Sequence, residues 1–232
     1  MVHMDPDLCA DNLARTSGWK PSFGQVGSAQ GHLSNLGVDR GDLFLFFGWF
    51  RQVDQRDGTW VFQPNAPDVH VLFGWLQVGE IIAAGSNPEA MICRTYPWMR
   101  DHPHSNTGYS ANNTIYVASD ALKLEGQIAH GVPGAGLFTH YAADLQLTTV
   151  SKSGQRHNRS HWSLPAGFFK EGKSKLSYHL QIIPEIADGM ATFNIVARGQ
   201  EFVYPCGDND VDVADWAKNI IVNHGLKLRR AL

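Results

Sequence analysis

The run GDLFLFFGWFR, Gly41–Arg51, is the most apolar in the chain, and part of it returns in HVLFGWLQVGE, His70–Glu80. The shared words are Phe47-Gly48-Trp49 and Phe73-Gly74-Trp75. In the first run both alternating faces are apolar, which predicts a strand buried on both sides and central in a sheet. A glycine inside a strand marks a bulge, a bend or the close approach of another group. The paired glycines therefore read as matching bends in two neighbouring strands of a curled sheet. The tryptophans admit a second reading, a flat platform for a base. Trp49 and Arg51 lie two apart, on one strand face, and that face is a candidate contact for a base and its phosphate.

Outward from these runs, strands dominate. RDG is a turn signal before a short strand in TWVFQ, Thr59–Gln63. TIYVAS, LQLTTVS, LSYHLQI, ATFNIVA and EFVY read as further short strands. Helices are expected in three places. FGQVGSAQGHLSNLG carries Ala29, Leu33 and Leu36 on one face, with Gly37 as its cap. SNPEAMICRTY has Asn87 as cap and Pro88 in its first turn. DVADWAKNIIVNHG sets Val213, Trp216 and Ile220 on one side, with Asp212 as cap and Gly225 at the end. The pattern predicts an α+β chain, a strongly bent mixed or barrel-like sheet with a few flanking helices, folded as a single domain over residues 1–232.

The chain has 232 residues, 43% of them hydrophobic and 18% charged, with a net charge of −3. That length supports a sizeable core without staples, and that charge gives no sign of a general electrostatic grip on nucleic acid, while leaving room for a local basic face. Cys9, Cys93 and Cys206 are an odd, sparse set without CxxC spacing. They fit neither a disulfide framework nor a cysteine zinc site, and they predict a cytoplasmic protein. No apolar run approaches the ~20 residues of a membrane span.

The polar words carry the candidate chemistry. In DHPH, an extended backbone turns His102 and His104 the same way. That is metal-ligand spacing, and a divalent metal is the cofactor the pair would hold. HMDPD supplies His3, Asp5 and Asp7 as further ligands, two His plus a carboxylate being the set of non-haem iron sites. A metal-free centre with one His as general base stands beside this reading, as do loop histidines bonded only to backbone or water. In FGQVGSAQGHL the glycines near a helix start offer free amides to an anion, with Gln25 as a polar contact. Close helix packing explains the same glycines. From Ser151 to Ser177 six basic residues, Lys152, Arg156, Arg159, Lys170, Lys173 and Lys175, face one acid, Glu171. This reads either as a solvated loop or as one in which Arg156 and Arg159 meet phosphates. Arg198, Gln200 and Glu201 enter a strand in RGQEFVYP, where Gln200 is a candidate pocket residue. No GxSxG, HExxH, kinase or dinucleotide fingerprint is present.

In order along the chain, HMDPD, GWKPSFGQVGSAQGHL, GDLFLFFGWFR, HVLFGWLQVGEI, HPH, NNTIYVAS, SLPAGFF and RGQEFV resemble the bacterial and phage family called nucleotide modification associated domain 3. The resemblance spans nearly the whole chain and implies a place in DNA-modification chemistry rather than a particular reaction. Members of that family carry a strand and a Ser-, Arg- and Gly-rich loop ahead of the HxDPD word, so the resemblance implies that this chain lacks an N-terminal segment of the family. GDLFLFF followed by GWLQVGEII is also similar to the PUA-like group with its ASCH and EVE domains, small curled sheets that bind modified bases or RNA. Two expectations follow. The first is a cytoplasmic protein of DNA base or nucleotide modification, holding a base or nucleotide in a pocket beside the central sheet. His102, His104, His3 and Asp5 form its polar or metal-assisted centre. The second is a non-catalytic, PUA-like reader of modified bases in DNA or RNA.

Overall fold

The computed structural model describes residues 5–106, 108–124, 127–129, 131–150, 157–196 and 202–225. In chain order the strands and helices are β1 (Ser22–Gln25), α1 (Gly27–Asn35), β2 (Leu43–Phe50), β3 (Val53–Arg56), β4 (Thr59–Phe62), β5 (Val69–Ala83), α2 (Glu89–Thr95), β6 (Thr114–Ala118), β7 (Lys123–Leu124), β8 (Gln127–Ile128), β9 (Ala135–Leu137), β10 (Thr148–Val150), β11 (His157–Pro165), β12 (Glu185–Ala187), β13 (Met190–Asn194) and α3 (Val211–His224). The α+β class holds. Strands run in the order β1-β6-β5-β2 in one sheet, with β9 also on β5, and β10-β11-β13-β12 in another; β3-β4 and β7-β8 are two-stranded. The first path ends at β1 and β2, so this sheet is open rather than closed into a barrel.

The chain forms two compact units. One comprises Met1–Leu45, Gly74–Thr139 and Gly225–Leu232, the other Phe46–Phe73 and His140–His224. In the first, β6 is buried along its whole length. Ile82, Ala84, Ile92, Met99, Ile115 and Val117 pack together, with Trp98 and Tyr96 against them. This cluster fastens α2 and the turn at Pro97–Met99 to β5 and β6, and so fixes the start of the segment that carries His102. In the second, Trp162, Leu164, Ala191 and Phe193 form the buried face of the β11–β13 pair. Phe169 meets Phe193 edge-on at 4.9 Å, and Phe168 meets Trp216 of α3 at 5.4 Å.

Several expectations are corrected. β2 is half-buried along most of its length and ends the sheet path, so it is not a central strand. The Phe-Gly-Trp echo does not repeat in burial. Trp75 is fully buried, with its ring tilted against Phe138 at 5.2 Å, whereas Trp49 at the end of β2 is 56% exposed. Gly74 is required by close approach, since a Cβ there would lie 2.8 Å from the Gly136 carbonyl oxygen. The bulge in β5 falls instead at Gly79, between Val78 and Glu80, where a Cβ would meet the Ser119 backbone at 2.7 Å. LSYHLQI is a run of turns, not a strand. Tyr178 has φ +62°, and the amides of His179 and Ile182 bond back three residues, to Leu176 and His179. The 202–204 part of EFVY is not a strand either; Val203 instead exchanges hydrogen bonds with Ser177. Of the basic stretch, residues 151–156 lie outside the described residues, 157–172 form β11 and a 3-10 turn at Ala166–Gly172, and only 173–177 is irregular. RDG does turn the chain: Asp57 and Gly58, at φ +50° and +77°, close the β3–β4 hairpin, as a two-residue hairpin loop demands.

Candidate functional site

Asp5, His102 and His104 come together in the first unit. Their side chains are buried, at 5%, 2% and 6% exposure. The segment is not extended, as expected, but a 3-10 turn, Pro103–Ser105, with His102 at its N-cap. The His104 amide donates to His102 Nδ1 at 3.2 Å. This bond places the His102 proton on Nε2, 3.9 Å from Asp5 Oδ1. His104 Nε2 lies 3.2 Å from Asp5 Oδ2. Asp5 Oδ1 also accepts the Gly24 amide of β1 at 2.9 Å. Gly24 has to be glycine, because a Cβ would fall 2.3 Å from the His104 ring.

Asn113 fixes the other side of His104. Its Nδ2 donates to the carbonyls of Gly85 at 3.1 Å and His104 at 2.9 Å. Its Oδ1 therefore faces His104 Nδ1, at 2.6 Å, and that nitrogen carries a proton. Both ring nitrogens thus face acceptors. Burial pulls the His104 pKa down, but the hydrogen bonds to Asp5 and Asn113 and the charge of Asp5 outweigh it and raise the pKa. Tyr109 stacks on the ring at 4.5 Å.

Beside His102 lies a cavity of about 20 Å³, room for one water, lined also by Asp7, Arg15, Trp19 and Trp98. Asp7 is not a ligand beside Asp5. Its carboxylate takes Arg15 in a two-bond pair at 2.8 and 2.6 Å, and Trp19 Nε1 at 3.3 Å. The guanidinium sits 4.3 Å over the Trp19 ring. Arg15, Trp19 and Asn113 were not singled out in the sequence; no local spacing links them to the histidines.

The remaining candidates make other contacts. Arg51 forms a two-bond pair with Asp68 at 2.6 and 2.7 Å and lies over Phe62 at 5.5 Å. Its charge is already matched by a carboxylate. Gln25 Oε1 accepts the Val26 amide at 3.0 Å. The Gly27 amide at the start of α1 donates to Asn112 Oδ1 at 2.9 Å, so it is not offered to an anion. Lys170 and Lys175 turn onto the fully buried Asp210, at 3.4 and 2.7 Å. His3, Arg156 and Gln200 lie outside the described residues, as does the side chain of Arg159.

Among the described residues, no group of three or more His, Cys, Asp and Glu side chains is arranged to hold a metal ion. The two histidines gather around Asp5, and His3, the further ligand expected, lies outside the described residues. No helix among the described residues is long and apolar enough to cross a membrane.

Comparison with curated proteins and with solved structures finds no match. A family model described as nucleotide modification associated domain 3 matches residues 1–205. That span contains Asp5, both histidines, Asn113 and every residue that lines the cavity, and the chain belongs to the nucleotide modification associated domain 3 family.

Proposed function

We propose that this protein binds a base or nucleotide in the course of nucleotide or DNA base modification, with Asp5, His104 and His102 as the polar centre that meets it. The observation that carries the reading is the arrangement at His104, whose two ring nitrogens face Asp5 and Asn113. An imidazolium held by a carboxylate can pass a proton to a ring nitrogen or carbonyl oxygen and take it back near neutral pH. His102 carries the cluster to the cavity, where Trp98 and the guanidinium plane of Arg15, paired with Asp7 and stacked on Trp19, offer flat surfaces that suit a base. A base needs more room than one water, so side chains must move to admit it. Leu13, 49% exposed, forms one open wall.

The test uses Asp5→Asn and His104→Gln, which keep shape and remove the ion pair. Affinity for the four deoxynucleoside 5′-monophosphates is measured beside the melting temperature. The expected result is a loss of roughly tenfold or more in affinity for at least one nucleotide, about 1.4 kcal/mol. A lower melting temperature with unchanged affinity would make the cluster only a clasp between the Asp5 segment and β1.

A further inference from the structure

His179, in the second unit, is 1% exposed, and the proposed chemistry does not use it. It lies in the turns that follow the 3-10 stretch Ala166–Gly172, next to Tyr178 at φ +62°. Its two ring nitrogens have fixed roles. The Ser177 carbonyl can only accept, so Nδ1, 2.8 Å away, carries the proton. The Val196 amide can only donate, so Nε2, 3.1 Å away, is the acceptor. The ring is therefore neutral in the fold. Two rings close around it edge-on, Phe193 of β13 at 5.8 Å and Phe202 at 4.9 Å. Ser177 holds the other side of the same junction. Its amide donates to the Val203 carbonyl, and its hydroxyl oxygen accepts the Val203 amide, both at 2.9 Å. One turn, residues 177–179, thus ties down the chain just past β13, at Val196, and again at Val203.

We propose that this turn is an acid-released clasp: a proton on His179 frees Val196 and Phe202 while β11 and β13 stay paired. The geometry leaves the proton one place to go. Nδ1 already carries one, so the second binds Nε2 and takes the lone pair that accepts the Val196 amide. Two N–H donors then face each other in a buried place, and a charged ring lies against Phe193 and Phe202. Both effects favour turning the ring out to water. Burial outweighs the Ser177 carbonyl and holds the His179 pKa below 6.5. The clasp is therefore whole above about pH 6.5 and is lost as pH falls through the lowered value. The charged groups of the packed elements point elsewhere. Lys170, Lys175 and Tyr204 turn onto Asp210. Tyr178 is half exposed. Glu185 lies opposite Thr192, and His161 is bonded to Asn194, on the face of β13 away from Phe193. Arg198 and Glu201 lie outside the described residues. A charge on either would move the pH at which the clasp opens, but it would not restore the lost acceptor.

The experiment is amide hydrogen exchange followed by NMR on the whole chain, from about pH 7.5 to about pH 5, with rates corrected for intrinsic exchange. Wild type and His179→Gln are compared, and the His179 ring is titrated in the same wild-type samples. The glutamine side chain keeps an acceptor for the Val196 amide and does not titrate. The proposal expects opening at Val196 and Val203 to rise by up to about tenfold per pH unit below about pH 6.5, levelling off once the ring is protonated in the fold. The amides of β11 keep their protection, and in His179→Gln opening at Val196 and Val203 does not follow pH. Opening that stays constant in the wild type, that rises equally in His179→Gln, or that rises equally along β11 overturns the clasp. Should the variant not fold, the wild type decides alone. The pH at which opening levels off then has to match the titration of the His179 ring, and a mismatch overturns the proposal.

Discussion

At His104 two effects oppose each other. Burial disfavours the charged ring, while Asp5 and Asn113 favour it and prevail, so the pKa lies above the ordinary 6.5. A histidine whose pKa is raised by folding stabilises the fold fully below about pH 6.5, and that contribution is lost as pH rises through the raised value. His179 runs the other way. Its burial outweighs the Ser177 carbonyl and lowers its pKa, so its contribution is present above 6.5 and is lost as pH falls through the lowered value. His104→Gln should therefore cost about 2 kcal/mol at about pH 5, as an unmet buried polar pair does, and progressively less toward about pH 8.5. Melting temperatures of the two proteins across that range check this; a gap that stays constant with pH would show that the ring is not charged in the fold. Asp5, His102 and His104 were legible from two short words, HMDPD and DHPHSN. The reason they meet was not, since the histidines sit on a 3-10 turn and converge on Asp5 through Gly24 and Asn113. Those partners come from distant parts of the chain, and no local period reveals them.

Among the elements, the strands with strong alternation or β-branched runs were readable, β4, β6 and β13 above all. Helix α3 was too, with Val213 and Ile220 buried as the spacing required. The failures share a cause. LSYHLQI has the composition of a strand, but Tyr178 turns left-handed there and His179 is buried against backbone groups. Composition cannot report a bend made by tertiary contacts. Glycines show the same limit, because Gly31, Gly74 and Gly79 look alike in sequence. Gly31 in α1 has open space where a Cβ would stand, and Gly79 has the Ser119 backbone. Gly31→Ala should raise stability by about 0.5–1 kcal/mol through helix propensity. Gly79→Ala should lower it by about 2 kcal/mol or more, since backbone must shift to admit the methyl group. Chemical denaturation measures both, and equal effects would contradict the bulge at Gly79. The site depends on that order of elements: α2 and the Pro97–Met99 turn, packed on β5 and β6, set where His102 begins.

For the whole molecule, charge argues about the kind of ligand. The net charge is −3, and several cations are matched within the fold: Arg15 by Asp7, Arg51 by Asp68, Lys20 by Asp120, and Lys170 and Lys175 by Asp210. Phosphate-backbone binding needs cations free to release counterions. Under the proposed function, a base or a single nucleotide is the ligand that suits a polar centre built from His, Asp and Asn. Family membership over residues 1–205 gives the biological setting. The measurement that tests the central claim most directly follows the histidine ring signals while each deoxynucleoside 5′-monophosphate, and inorganic phosphate as control, is added. The account predicts saturable shifts of the His102 and His104 rings with at least one nucleotide and none with phosphate alone. Rings that stay still with every nucleotide, or that move equally with phosphate, would contradict it.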